Sequence, residues 1–126
     1  MEILKERLDM SRIRTGSRGG HLYLIQCVDT DFYKIGFCIT TGNENQDERN
    51  IENRIRTLQT GCPFALKYWY VVWYDSHIGQ HERAVHNKFW KNRVRGEWFR
   101  FVPDDIAKVV EEISNTKRAV KEHYKR

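Results

Sequence analysis

Two apolar segments near the N-terminus decide the fold: residues 21–28 (HLYLIQCV) and residues 32–38 (FYKIGFC). Both are rich in β-branched and aromatic residues, and only the polar stretch at residues 29–31 separates them. This arrangement predicts an antiparallel β-hairpin. The sequence does not fix its register, because a slip of one residue turns every side chain to the opposite face of the sheet.

The next elements outward from the hairpin are a loop, a helix and a strand. Residues 40–50 are polar and predict a loop, and the apolar spacing over residues 51–58 predicts a helix that ends near Gly61. Residues 66–74 (LKYWYVVWY) are almost continuously apolar. Such a run is typical of a strand covered on both faces, so we expect it at the centre of the sheet.

The C-terminal third predicts two further helices around a short strand. Residues 77–91 have helical periodicity, residues 92–96 form a basic turn, and residues 97–101 are strand-like. Pro103 is followed by two acidic residues, a composition that suits the first turn of a last helix.

Glu82 interrupts the apolar face of the helix predicted over residues 77–91. Ile78, Val85 and Phe89 recur there at helical spacing. At about 100° per residue, Glu82 falls within roughly 40° of the centre of that face. An ionised acid in such a position costs several kcal/mol unless a cation, a metal or a hydrogen-bond donor compensates it. We therefore expect a compensating group opposite Glu82.

Composition predicts one globular domain with a cationic surface. The chain has 126 residues, of which 40% are hydrophobic, and its net charge is +5. Basic clusters interleaved with aromatic residues suit a polyanion such as nucleic acid, although a solvated cationic surface is the alternative. The candidates for nucleic-acid contacts are Arg18, Lys34, Lys88, Lys91, Arg93 and Arg95.

Neither a membrane span nor a cysteine-based site is predicted. No apolar run approaches the roughly 18 residues of a spanning helix, so we expect an intracellular, cytoplasmic protein without membrane association. The three cysteines lack CxxC spacing. They predict buried thiols and no disulfide or structural zinc site.

Six polar residues are embedded in otherwise apolar patterns: Tyr23, Lys34, Arg54, Glu82, His86 and Glu97. Each has a structural explanation, such as strand packing for Tyr23 or a salt bridge between Glu82 and Arg54. Together they also provide what phosphodiester hydrolysis requires, namely an activated water, positive charge against the phosphate and a proton source. A single carboxylate suits hydrated Mg²⁺, and an arginine clamps phosphate oxygens. The residues alone leave both interpretations open.

The order of these residues resembles the GIY-YIG endonuclease superfamily, specifically its phage and viral branch. The matching segments are residues 21–23 (HLY), 33–36 (YKIG), 53–61 (NRIRTLQTG), 82–89 (ERAVHNKF) and 96–99 (GEWF). The resemblance implies an α+β fold in which a small central antiparallel sheet of about three strands is flanked by helices. The resemblance covers residues 21–101, the expected nuclease domain. The residues themselves predict a basic N-terminal arm (1–20) before it and, as part of the same single domain, a C-terminal helix with a basic tail (102–126) after it.

The resemblance implies an enzyme, a metal-dependent endonuclease that hydrolyses phosphodiester bonds in DNA with Mg²⁺ or Mn²⁺ as its cofactor. By this resemblance Tyr23 is the general base or proton relay, Arg54 stabilises the phosphate, and Glu82 is the metal ligand. His86 is expected near the site, and Glu97 is expected to have a structural or supporting role.

The main departure from the family pattern is Lys34, which stands where the family has its second tyrosine. The neighbouring Tyr33 then points to the opposite face of the sheet. Lys34 is expected to contact phosphate or to lower the pKa of a nearby tyrosine, provided that the hairpin register puts it on the same face as Tyr23.

Two other functions stay open at this point. One is a nucleic-acid-binding module that cuts slowly or not at all, and the other is a domain that binds a host protein. DNA is the expected partner, with RNA left open. A monomer and a dimer are equally compatible with the sequence, and a phage protein would act in the cytoplasm of its host.

Overall fold

The computed structural model describes residues 18–124, with side chains as far as residue 115. Its strands and helices are β1 (Gly20–Cys27), β2 (Phe32–Ile39), α1 (Glu44–Thr60), β3 (Leu66–Tyr74), α2 (Ile78–Lys88), β4 (Arg93–Arg95), β5 (Trp98–Arg100) and α3 (Ile106–Tyr124). Short 3₁₀ turns precede β4 and α3. Most of the predicted N-terminal arm and the side chains of the basic tail lie outside the described residues.

One antiparallel sheet organises the domain, in the strand order β3-β1-β2-β5-β4. The sheet has five strands, so the expectation of about three is wrong. The additional strands arise because the predicted basic turn at residues 92–96 itself pairs as β4. Gly96, at φ +56°, reverses the chain between β4 and β5.

The predicted position of β3 at the sheet centre is also wrong. Within the described part of the chain, β3 has a single strand neighbour, β1, and Trp69 and Trp73 are 45% and 43% exposed. Its apolar run belongs to an edge strand whose large aromatic side chains are only partly covered. The strand that is buried on both faces is β1, which lies between β3 and β2.

The segment predicted as a loop at residues 40–50 contains the first two turns of α1. Asn43 caps this helix by accepting a hydrogen bond from the backbone N–H of Gln46 at 3.0 Å. Gln46 in turn hydrogen-bonds both Asn50 and Arg49 along the helix surface. The helix therefore begins with a capping hydrogen bond and hydrogen bonds between polar side chains. Because these residues are polar, the apolar periodicity on which the prediction rested did not include them.

The sheet separates two clusters of buried side chains. The core face packs on α2 and α3, and its cluster includes Leu22, Leu24, Tyr33, Ile35, Val85, Phe99 and Ile113. The α1 face carries a smaller cluster of Tyr23, Ile25 and Cys38 with Ile55, Leu58 and Tyr68. Residues that pair directly across two antiparallel strands point to the same face of the sheet. Tyr23 pairs with Gly36 and Ile25 pairs with Lys34, so Lys34 also lies on the α1 face. Tyr33 faces the core, as its alternation with Lys34 predicts.

Candidate active site

Tyr23 lies in the middle of β1, with its side chain buried on the α1 face. Its hydroxyl rests against Gly36, where any Cβ atom would overlap the hydroxyl oxygen and the ring. The glycine of the YKIG segment thus provides the space that Tyr23 occupies. Burial raises the pKa of the Tyr23 phenol far above its ordinary value, and Arg54 offsets only part of this effect. The phenol therefore keeps its proton at neutral pH.

Arg54 reaches the same region from α1, where Ile55 and Leu58 pack against the α1-face cluster. Its side chain is half-buried. Desolvation lowers the pKa of the Arg54 guanidinium, but its interactions with Cys38, Tyr23 and Glu97 raise it by more. The guanidinium is therefore a permanent positive charge that interacts electrostatically with Tyr23.

Lys34 lies on the α1 face together with Tyr23, but its ammonium group is not on the open surface. Lys34 Nζ is 2.8 Å from Glu97 Oε1, and the two side chains are 5% and 20% exposed. The ammonium also lies 5.7 Å from the centre of the Trp98 ring. The structure thus pairs Lys34 with a carboxylate from the turn before β5.

His86 projects from α2 onto the edge of β2. Its Nε2 is 2.9 Å from the carbonyl oxygen of Ile35. Since a carbonyl can only accept, Nε2 carries the hydrogen, and Nδ1 of the neutral ring keeps its lone pair. Burial lowers the pKa of His86, whereas the Ile35 hydrogen bond and Glu97 oppose that shift. The ring is therefore neutral at pH 7 and able to accept a proton.

Glu82 is half-buried on α2, one helical turn before His86. The described residues contain no cluster of three or more His, Cys, Asp or Glu arranged to hold a metal ion. Mg²⁺ keeps several waters and commonly takes only one or two carboxylates from the protein. The carboxylate of Glu82 is a donor type that Mg²⁺ accepts, and its role as a metal ligand stays a prediction.

Glu97 interacts with more of the candidate residues than its place in the sequence indicates. Its charge acts on Tyr23, Arg54 and His86, and its carboxylate binds Lys34. The signal in the sequence is an acid placed between a turn glycine and the tryptophan of a short strand. Its meaning depends on the pairing of β5 with β2, which the sequence does not reveal.

Comparison with known proteins identifies the family. The profile of the T5orf172 domain matches residues 20–114, which cover most of the chain and include Tyr23, Lys34, Arg54, Glu82, His86 and Glu97. The chain belongs to the T5orf172 domain family. The T5orf172 domain occurs in phage and other endonuclease-like proteins, so it is a nuclease-like or nucleic-acid-related module. No curated protein and no solved structure gives a significant match.

The basic residues predicted to contact nucleic acid, apart from the buried Lys34, lie in two places. Lys88, Lys91, Arg93 and Arg95 are exposed between the end of α2 and β4. Within this group, Lys91 lies over the ring of Trp90, and Lys88 pairs with Glu112 at 3.6 Å. Arg18 instead donates to the carbonyl of Thr40, at the end of β2 opposite to the part that pairs with β5. Arg18 is therefore separate from the others. Among the residues described, no helix has the length and hydropathy that a membrane crossing requires.

An acidic recess occupies the other end of the α1 face. It has a volume of about 550 Å³ and is lined by Thr40, Gly42, Glu44, Asp47, Glu48, Trp73, Tyr74 and Asp75. His21 lies beside it, with its ring 4.9 Å from that of Trp73 and neither ring nitrogen hydrogen-bonded to a described residue. Burial lowers the pKa of His21 to about 4. The acidic lining repels phosphate, so we do not place nucleic acid here.

Proposed function

We propose that this T5orf172 domain is a GIY-YIG-type endonuclease that hydrolyses phosphodiester bonds in DNA with the help of Mg²⁺ or Mn²⁺. The observation that supports this most is the meeting of Tyr23, Gly36 and Arg54 on the α1 face. A hydroxyl seated on a glycine, next to a permanently charged guanidinium, provides a proton-bearing group and a phosphate-binding group in one place. Both are requirements of phosphodiester hydrolysis.

Arg54 would bind the oxygens of the scissile phosphate and offset the charge that develops during attack. Tyr23 keeps its proton, so it would orient the attacking water and relay a proton, which is a narrower role than that of an ionised base. The neutral His86 would accept a proton at Nδ1. Glu82 would hold the metal, which when bound lowers the pKa of water and polarises the phosphate.

A second candidate function is binding of nucleic acid without efficient cleavage. The observation that favours it is the burial of Tyr23, whose side chain is 1% exposed. A side chain buried to this extent offers water and phosphate little surface. The basic surface from Lys88 to Arg95 is compatible with either function.

The test is nicking of supercoiled and branched DNA in Mg²⁺ or Mn²⁺ by the wild type, Arg54→Ala and Glu82→Gln. We expect Arg54→Ala to reduce the rate about 100-fold or more, as loss of a transition-state contact does. Glu82→Gln should remove the response to metal. The matched control is Arg56→Ala, an exposed arginine on the same helix, which should stay within about threefold of the wild type.

Nicking that persists undiminished in both Arg54→Ala and Glu82→Gln contradicts the proposed site. DNA binding that weakens steeply with salt, without nicking by the wild type, supports the second candidate. The absence of both nicking and binding contradicts both functions.

A further inference from the structure

We propose that Glu97 is a positioning residue. It holds Gly36, the residue against which the Tyr23 hydroxyl rests, in place. The catalytic part of this role depends on the proposed nuclease function, whereas its structural part does not. Glu97 would act through the two residues that precede Gly36, binding one with its side chain and the other with its main chain.

The side chain of Glu97 fixes Lys34, two residues before Gly36 on β2. The pair is short, at 2.8 Å, and largely shielded from solvent. An ammonium group buried to this extent has a strong requirement for a counter-ion. Lys34 therefore stays beside Glu97, and the local path of β2 is tied to the turn before β5.

The main chain of Glu97 fixes Ile35, the residue immediately before Gly36. The Ile35 N–H donates to the carbonyl of Glu97 at 3.0 Å, and the Ile35 carbonyl accepts from His86 Nε2 at 2.9 Å. One residue of the YKIG segment is thus bound on one side by the GEWF segment and on the other by α2. Any movement of Glu97 is transmitted to Gly36, and so to Tyr23.

The charge of Glu97 also acts on ionisable side chains near Gly36. Its carboxylate interacts electrostatically with Tyr23 on β1, Arg54 on α1 and His86 on α2. The other charges that face His86 are Lys34 from β2 and Arg93 from β4, and both oppose the effect of Glu97. Glu97 is consequently a shared counter-ion for side chains from several elements.

The first test is a double-mutant cycle of melting temperatures with Glu97→Gln, Lys34→Met and the combined variant. Glu97→Gln leaves a buried ammonium without its counter-ion, so we expect melting to fall by about 5–10 °C. The combined variant should recover most of that loss, because it removes both charges. The matched control is Glu112→Gln, which breaks the exposed pair with Lys88 and should lower melting by less than about 3 °C.

The second test is the pKa of His86 from the NMR titration of its ring, with the resonance assigned by comparison with His86→Gln. Loss of the negative charge in Glu97→Gln should lower the pKa of His86, and loss of the positive charge in Lys34→Met should raise it. Glu112→Gln should leave it unchanged. A purely structural role elsewhere in the fold would not move this pKa in opposite directions.

The third test is nicking kinetics. We expect Glu97→Gln to lower kcat about 10–100-fold with KM nearly unchanged, because displaced groups react slowly while the exposed basic surface still binds DNA. The combined variant should regain stability but not kcat.

The proposal is overturned if Glu97→Gln melts like Glu112→Gln, or if the pKa of His86 does not respond to Glu97 and Lys34. It is also overturned if the wild type nicks DNA and Glu97→Gln does so at an equal rate. If the wild type does not nick DNA, the nuclease function fails, and the melting cycle and the His86 titration still decide the positioning role.

Discussion

The two faces of the sheet bury different chemistry although they are built from the same strands. On the core face, β1, β2 and β5 contribute Leu22, Leu24, Tyr33, Ile35 and Phe99. On the α1 face, β1 and β2 contribute His21, Tyr23 and Lys34. Two helices cover the core face with apolar side chains, whereas α1 covers a smaller cluster and leaves polar groups in contact with one another. The comparison teaches that the larger apolar cluster belongs to one face, whereas Tyr23 and Arg54 of the proposed site belong to the other. Glu82 and His86 of the proposed site lie on α2, which packs on the core face.

The largest expected effect on the free energy of unfolding comes from a substitution on the core face. Phe99 is fully buried between the Phe101 and His86 rings. Phe99→Ala should lower the free energy of unfolding by about 3–5 kcal/mol, because a buried aromatic ring leaves a cavity. Urea unfolding is the measurement. Trp90→Ala is the control, since Trp90 is 65% exposed, and it should change stability by no more than about 0.5 kcal/mol. Equal losses in both variants would contradict the placement of the core.

A smaller effect on stability but a large one on activity is expected from Gly36→Ala on the α1 face. The added methyl group would collide with the Tyr23 hydroxyl. We expect nicking to fall about 100-fold, the effect of misplacing a reacting group by about 1 Å. Gly79→Ala is the control, because a Cβ there meets open space. Gly36→Ala activity within threefold of the wild type would show that the Tyr23 position is unimportant.

The sequence predicted the strands of both faces but not the arrangement of the sheet. The hairpin of β1 and β2 was expected from its apolar composition. Its register was left open, and the structure shows that Lys34 shares a face with Tyr23. Whether β1 or β3 is central could not be predicted, because half-covered aromatic side chains at an edge and fully covered ones at the centre give the same apolar run. The strand-like residues 97–101 contain β5, as predicted. The strand β4 was missed because it has three residues, too few for periodicity to show.

The members of the candidate site stay a prediction, and the structure adds the contacts between them. Tyr23 and Arg54 were named from their family motifs, and the structure brings them together. The pairing of Lys34 with Glu97 spans 63 residues and depends on the register between β2 and β5. Local patterns carry no information about such a contact, so the importance of Glu97 appears only in three dimensions.

The smallest expected effect concerns His21 and the pH dependence of stability. Its pKa is about 4 in the folded state against an ordinary 6.5, so the unfolded chain takes up the proton first. Stability should therefore decrease as the pH falls from about 6.5 toward 4, by about 2 kcal/mol between pH 7 and pH 5. Urea unfolding at the two pH values measures this. His21→Leu should remove most of the difference, and an unchanged difference in that variant would assign the pH dependence to other groups.

The most direct test of the central claim, that the α1 face carries a nuclease site, is single-turnover nicking by Tyr23→Phe. This change removes one hydroxyl oxygen and keeps the buried ring. Melting temperature verifies that the fold is retained. The account predicts metal-dependent nicking by the wild type and a loss of about 100-fold or more in Tyr23→Phe, as expected when a proton-transfer group is removed. Equal nicking rates for the folded Tyr23→Phe variant and the wild type would contradict the account.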